Sequence, residues 1–217
     1  MTQHGFDKEY WEQHWHQAPG GGPGSVGGNP PNPYLARETG GLAPGTALDA
    51  GCGTGAEAVW LATHGWRVTA ADISSEALAR AAERATAGGA ADQVEWIEAD
   101  LGVWDPGTRF DLVTTHYAHP AMPQLEFYDR IASWVAPGGT LLIVGHLPAP
   151  GDGHDHGHEH GHQPPAEVSV TAVAITARLD ETAWEVVTAE ECHRTLGGHD
   201  GPEVPLHDVV VRAARRR

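Results

Sequence analysis

Residues 46–58 read "TALDAGCGTGAEA", and how they are parsed decides the fold. A strand-length run, "TALDA", meets glycines at alternate positions, Gly51, Gly53 and Gly55, and leads into the helix-compatible "EAVWLATHG". Glycine takes left-handed backbone freely and lets the main chain approach a ligand closely. A strand turning through such a loop into a helix is the opening unit of an open α/β sheet, where ligands settle at the carboxyl ends of the strands.

The sequence beyond this loop continues the same alternation. "RVTAAD" reads as a second strand, "SEALARAAERATAGG" as a helix closed by glycines, and "VEWIEAD" as a third strand. "FDLVTTH" is a fourth strand, "QLEFYDRIASWVAPGG" a helix with a Pro-Gly-Gly stop, and "TLLIVGHL" a fifth. Strands separated by helices predict a mostly parallel, doubly wound α/β sheet covered on both faces. The end differs: a helical stretch, "PAEVSVTAVAITARL", precedes two β-rich runs, "WEVVTAEECHRTL" and "LHDVVVRAA". With no helix between them, these runs predict a C-terminal antiparallel pair, seven strands in all.

Length and charge bound what this sheet serves. A chain of 217 residues is long enough for one sizeable core. Three parts are expected: an N-terminal segment 1–17, a Gly/Pro-rich tether 18–33 reading "APGGGPGSVGGNPPNP", and a main domain 34–217 with a His-rich loop at 151–165. The formal charge of −16, from 13 basic and 29 acidic residues, would repel a polyanion and argues against nucleic acid as partner. The basic "RAARRR" at 212–217 reads as a solvated, frayed terminus. No run nears the roughly 18 apolar residues of a membrane span, so the expectation is a cytoplasmic protein without membrane contact. Cys52 and Cys192 are too few for a disulfide framework.

Two cofactor readings compete at the glycine loop. Gly51, Gly53 and Ala56 fit the dinucleotide pattern G-x-G-x-x-G/A, which seats a pyrophosphate on a helix N-terminus. Asp49 opposes that, because a carboxylate at the strand end suits a ligand bearing an ammonium group. "LDAGCGTG" resembles the first motif of class I S-adenosylmethionine (SAM) methyltransferases, a family with a Rossmann-like fold. The resemblance implies that Asp49, Gly51, Cys52, Gly53 and Gly55 surround the methionyl portion of SAM. It also implies that Asp72, followed by Ile73, accepts the ribose hydroxyls, and that Asp100 and Leu101 meet the adenine. Each acid taken alone also reads as a strand-end turn or cap.

Methyl transfer chiefly requires a nucleophile aligned opposite the departing sulfur and the exclusion of water. A hydroxyl nucleophile needs a base, whereas a thiol or an anion need not. "THYAHP" follows strand four, where the family places the sulfonium and the acceptor, so Thr115 and His116 are candidate cofactor contacts. His116 and His119 are candidate bases, packing and capping being the alternatives. Trp11 and Trp15, in "YWEQHW", share one face of a helix. This Trp pair resembles that of the thiopurine and halide methyltransferases and, more loosely, the tellurite-resistance methyltransferases. That likeness implies a segment covering the cofactor and a soft small-molecule nucleophile; the alternative is a helix merely docked on the core. Arg37 is a candidate partner for the methionyl carboxylate.

Between the fifth strand and the last helix lies "GHDHGHEHGHQPP", residues 153–165. His154, His156, His158, His160 and His162 suit zinc, nickel or copper, yet form none of the fixed ligand patterns of a closed site. They read as a surface loop with adventitious or regulatory affinity for a divalent metal. A rival reading makes this tract the working part of a metal-binding protein on a SAM-fold scaffold. Oligomeric state and the identity of the acceptor have no signature in the sequence.

Overall fold

The computed structural model describes residues 5–17, 30–147, 169–196 and 204–217. The strands are β1 (Thr46–Ala50), β2 (Arg67–Asp72), β3 (Val94–Glu98), β4 (Phe110–His116), β5 (Val135–His146), β6 (Trp184–Leu196) and β7 (Val204–Arg215). They form one seven-stranded sheet in the order β3-β2-β1-β4-β5-β7-β6. The first five strands run parallel; β7 is antiparallel to both β5 and β6. The expected α/β sheet, mostly parallel with a terminal antiparallel pair, is therefore what the chain adopts.

Alternation along the strands divides the core between the two faces. Leu141, Ile143, Val209 and Val211 point to one face, packed by α5 (Gln124–Ser133) and α6 (Ala172–Thr176). Leu142, Val144 and Val210 point to the other, under α2 (Pro33–Thr39), α3 (Ala56–Thr63) and α4 (Ser75–Ala87). The side chains of these seven strand residues are fully buried, and such burial stabilises by about 1.5–3 kcal/mol for each large aliphatic group. Helix starts are capped locally: Asn32 accepts from Tyr34 N–H at 3.0 Å ahead of Pro33, and Ser74 accepts from Ala77 N–H at 3.2 Å. A further helix, α1 (Lys8–Gln17), lies outside both core clusters. Among the described residues no helix is long and apolar enough to cross a membrane.

Tertiary contacts override three of the local expectations. The helix read over "QLEFYDRIASWVAPGG" stops at Ser133, because Trp134 and Val135 are buried and Val135 pairs with Phe110 before a register shift. Of the helix read over "PAEVSVTAVAITARL", the described residues 169–179 form only Ala172–Thr176: Ser169 bridges to His146, and the Thr171 hydroxyl caps the helix at Ala174 N–H, 3.1 Å away. The basic C-terminus is not frayed. Arg212 donates to the Glu38 carbonyl at 2.6 Å and Arg215 to the Val135 carbonyl at 2.6 Å, both from within the β7 ladder.

Candidate active site

Strand order reverses between β1 and β4, and the crevice at that switch point is where a ligand is expected in such a sheet. A cavity of about 640 Å³ opens there. The glycine loop forms its floor. Gly51 has φ +80°, and a Cβ on it would lie 2.2 Å from the Ala118 Cβ, so no larger residue fits. Gly55, at φ +74°, has a packing reason instead: a Cβ there would meet Trp96 and Ala81 within 2.8 Å.

Asp72 ends β2 on the cavity wall. Its carboxylate accepts Gly53 N–H at 2.8 Å and Ser74 N–H at 3.0 Å, so the acid shapes the glycine loop as well as facing the cavity. Burial pushes its pKa up, against the lowering effect of the N–H groups of Ser74, Gly53 and Ile73. Asp49 lies behind the wall, not on it, and Oδ2 has no hydrogen-bond partner among the described residues. Burial, and then the charges of Glu57 and Asp72, hold its pKa well above the carboxylate range. A buried carboxylate with one oxygen unpartnered among the described residues, beside two further acids, suits a cation brought to the loop.

Helix α1 roofs the crevice through contacts that no local pattern encodes. Glu12 accepts from the Ser75 N–H at 2.8 Å, the Ser75 hydroxyl at 3.0 Å and the Ser74 hydroxyl at 3.2 Å, at the start of α4. Trp11 Nε1 donates to the His119 carbonyl at 3.2 Å, the Trp15 ring lies over Gly53, and Lys8 pairs with Glu98. These contacts tie α1 to the ends of β2, β3 and β4.

The same cavity wall carries imidazoles and a buried polar network. His116 is half-buried, with Nε2 shielded from solvent and without a hydrogen-bond partner among the described residues; its pKa is lowered by burial. The rings of His119 and His146 stack with centroids 5.2 Å apart, and Tyr117 lies 4.7 Å from His146. Burial and the neighbouring His119 lower the pKa of His146 to about 4. Tyr117 holds a left-handed backbone, φ +56°, which costs on the order of 1–3 kcal/mol for a non-glycine residue. Its hydroxyl donates to Asp208 at 2.7 Å and accepts from Arg194 at 3.0 Å and Asn32 at 3.3 Å, which over-determines that conformation.

Trp11, Trp15, Gly51, Cys52, Gly53, Asp72, Ile73, Asp100, Leu101, His116 and His119 all line the cavity. Asp49, Gly55, Thr115 and Arg37 do not. The Thr115 hydroxyl donates to the Ala50 carbonyl at 2.8 Å and ties β4 to β1. Arg37 is placed away from any methionyl carboxylate, because Glu38 at 2.6 Å and Glu190 at 2.9 Å engage its guanidinium. His154, His156, His158, His160 and His162 lie outside the described residues. Glu12, Gln124, His146, Arg194 and Asp208 were not read from the sequence. The strand-end rule applied to β5 would have found His146; the others are brought in from helices and from the terminal strand pair.

Residues 47–139 match the methyltransferase domain family. A probable thiol methyltransferase 2 of Arabidopsis thaliana is 32% identical over 138 residues, 61% of this chain and 59% of that protein. A trans-aconitate 2-methyltransferase of Streptomyces avermitilis is 36% identical over 106 residues, 45% of this chain and 38% of that protein. The chain thus spans less than two thirds of the length of these relatives. Among solved structures, one from work on the conversion of a disulfide bond into a thioacetal group during echinomycin biosynthesis has a TM-score of 0.68 at 23% identity, covering 96% of this chain and 91% of that one. The N-methyltransferase NodS of Bradyrhizobium japonicum WM9, with S-adenosylhomocysteine (SAH), has a TM-score of 0.65 at 19% identity, covering 95% and 98%. Both likenesses are of fold. Residues 47–139 thus carry a methyltransferase domain, set in a Rossmann-like sheet whose switch-point cavity, glycine loop and strand-end acids are those expected of a class I SAM-dependent methyltransferase.

Proposed function

We propose that the protein transfers the methyl group of SAM to a small-molecule acceptor bearing a soft or weakly acidic heteroatom. The observation that carries this reading is one cavity whose wall brings the glycine loop, Asp72 and Asp100 together with His116, Tyr117, His119 and His146, beneath α1. SAM supplies a methyl group already activated by its positive sulfur. The residues here fit it: Asp49 offers a buried carboxylate with an open lone pair, Asp72 faces the cavity from β2, and Leu101 gives an apolar surface for a purine. Trp11 and Trp15 cover the crevice, and aromatic faces favour a cation while excluding water. The thiol methyltransferase among the relatives supports a soft acceptor. Oxygen methylation with His119 or His116 as base is the second reading, supported by the imidazoles on the cavity wall. The acidic balance of the chain supports partners other than nucleic acid.

Calorimetric titration with SAM, followed by SAH formation across a panel of thiols, phenols, halides and carboxylates, tests the proposal. Failure to bind SAM sinks it.

Asp49→Asn separates the cofactor role from the folding role. A carboxyl whose pKa is raised in the folded protein contributes full stability below its ordinary pKa and loses it as pH rises through the folded value. Removing the charge should therefore raise the melting temperature of the ligand-free protein at neutral pH by about 2–4 °C. The same change should weaken SAM binding at least about tenfold, through loss of the cation partner. Scanning calorimetry and ligand titration check the two halves; equal SAM affinity would remove Asp49 from the site.

A further inference from the structure

We propose that the acceptor binds as a neutral, weakly acidic thiol or phenol, that Nε2 of His119 takes its proton, and that Gln124 is the residue that leaves this nitrogen bare. This rests on the methyltransferase reading and narrows its acceptor class. Gln124 opens α5 and is buried. Its amide nitrogen donates to the Ala118 carbonyl at 3.0 Å, and Oε1 stands 3.3 Å from His119 Nδ1. Turning the amide over would set two oxygens against each other at Ala118, so the carbonyl fixes which atom faces the ring. An oxygen facing Nδ1 requires that nitrogen to carry the hydrogen. In a neutral ring, Nε2 then keeps a free lone pair. His119 lines the cavity, so this base belongs to the site.

The surrounding charges select the acceptor. Arg194 is the one lysine or arginine on the described cavity wall, and it is engaged by Asp208 at 2.5 Å and the Tyr117 hydroxyl at 3.0 Å. Glu57, also on the wall, adds a further negative group. An anionic acceptor would find no unpaired cation there, whereas a neutral X–H group finds a base. The ionisable groups that line the cavity with His119 are Tyr10 and His14 on α1, Cys52 on the glycine loop, Glu57 on α3, Asp72 at the end of β2, Asp100 after β3, His116 and Tyr117 at the end of β4, His146 on β5 and Arg194 on β6. Burial lowers the pKa of His119, so it is neutral and ready to accept at neutral pH. The step balances: the X–H proton passes to Nε2, and the freed X electron pair bonds to the methyl carbon. The carbon–sulfur bond of the sulfonium breaks with its pair returned to sulfur, and the imidazolium then loses its proton to water.

Three measurements on the full chain test this. In nitrogen-15 histidine spectra of the wild-type protein with SAH, His119 should carry hydrogen on Nδ1 and none on Nε2 at neutral pH. Benzyl mercaptan and phenol should be methylated, and should bind the SAH complex, at least about tenfold better than phenylacetate or iodide. Gln124→Leu should lower kcat for benzyl mercaptan at least about tenfold with SAM affinity unchanged. Gln124→Glu should restore turnover and move the acid limb of the pH profile upward, because a carboxylate raises the pKa of His119. An Nε2–H tautomer in the wild-type spectrum, a preference for phenylacetate or iodide, or an unchanged kcat in folded Gln124→Leu overturns the proposal. Absence of SAM binding would overturn the methyltransferase reading instead.

Discussion

Asp72→Ala is expected to weaken SAM binding by about two orders of magnitude or more. Hydrogen bonds to a charged acceptor contribute roughly 1.5–3 kcal/mol each, and the proposed contact involves two ribose hydroxyls. The loss compounds, because the same carboxylate holds Gly53 N–H and Ser74 N–H, so alanine also frees the glycine loop that floors the cavity. Asp72→Asn keeps the side-chain size and one acceptor oxygen, and should give a smaller loss. Calorimetric titration at neutral pH measures both. The folded pKa of Asp72 is raised, and the contact needs the carboxylate, so wild-type affinity should itself decline as pH falls through that value. A dissociation constant unchanged in Asp72→Ala would take this residue out of the site.

Deleting residues 1–17 should leave the sheet folded and cut turnover by about a hundredfold, since displaced positioning elements cost rates of that order. Folding is spared because no residue of α1 belongs to either core cluster. Turnover suffers because Trp11, Trp15 and Glu12 tie the roof to His119, Gly53 and α4. Glu12→Gln isolates one of these ties. Burial on docking pushes the Glu12 pKa up, but the donors at Ser75, Ser74 and Glu76 outweigh it and leave the pKa below the usual carboxylate value. Docking stability is thus present above the ordinary carboxylate pKa and lost as pH falls through the depressed one. Hydrogen exchange of α1 should rise in acid for the wild type and be raised at all pH values in Glu12→Gln. A folded, fully active truncation would show that α1 merely docks on the surface.

What the sequence determined by itself was local in origin. Strand and helix periods, the glycine loop and the acids at Asp72 and Asp100 were legible because each follows from a few neighbouring residues: alternation, positive-φ glycine, a polar residue at a strand end. The parallel order followed from the alternation of elements. Tertiary structure decided which side chains meet. Arg37 reads like a ligand partner in "NPYLARE", yet folding gives it to Glu38 and Glu190, while Arg194 arrives at the cavity from β6 and binds Asp208 on β7. Glu12 reaches residues 62 to 64 positions away, and Arg212 binds Glu38 across 174 positions. The C-terminal arginines read as frayed because polar residues in sequence are solvated by default; carbonyls left open at Glu38 and Val135 hold them in the fold. His119 shows the boundary within one residue. Its place after β4 could be read from "THYAHP", but its tautomer depends on an amide in α5 that is oriented by the Ala118 carbonyl, and only packing brings those groups together.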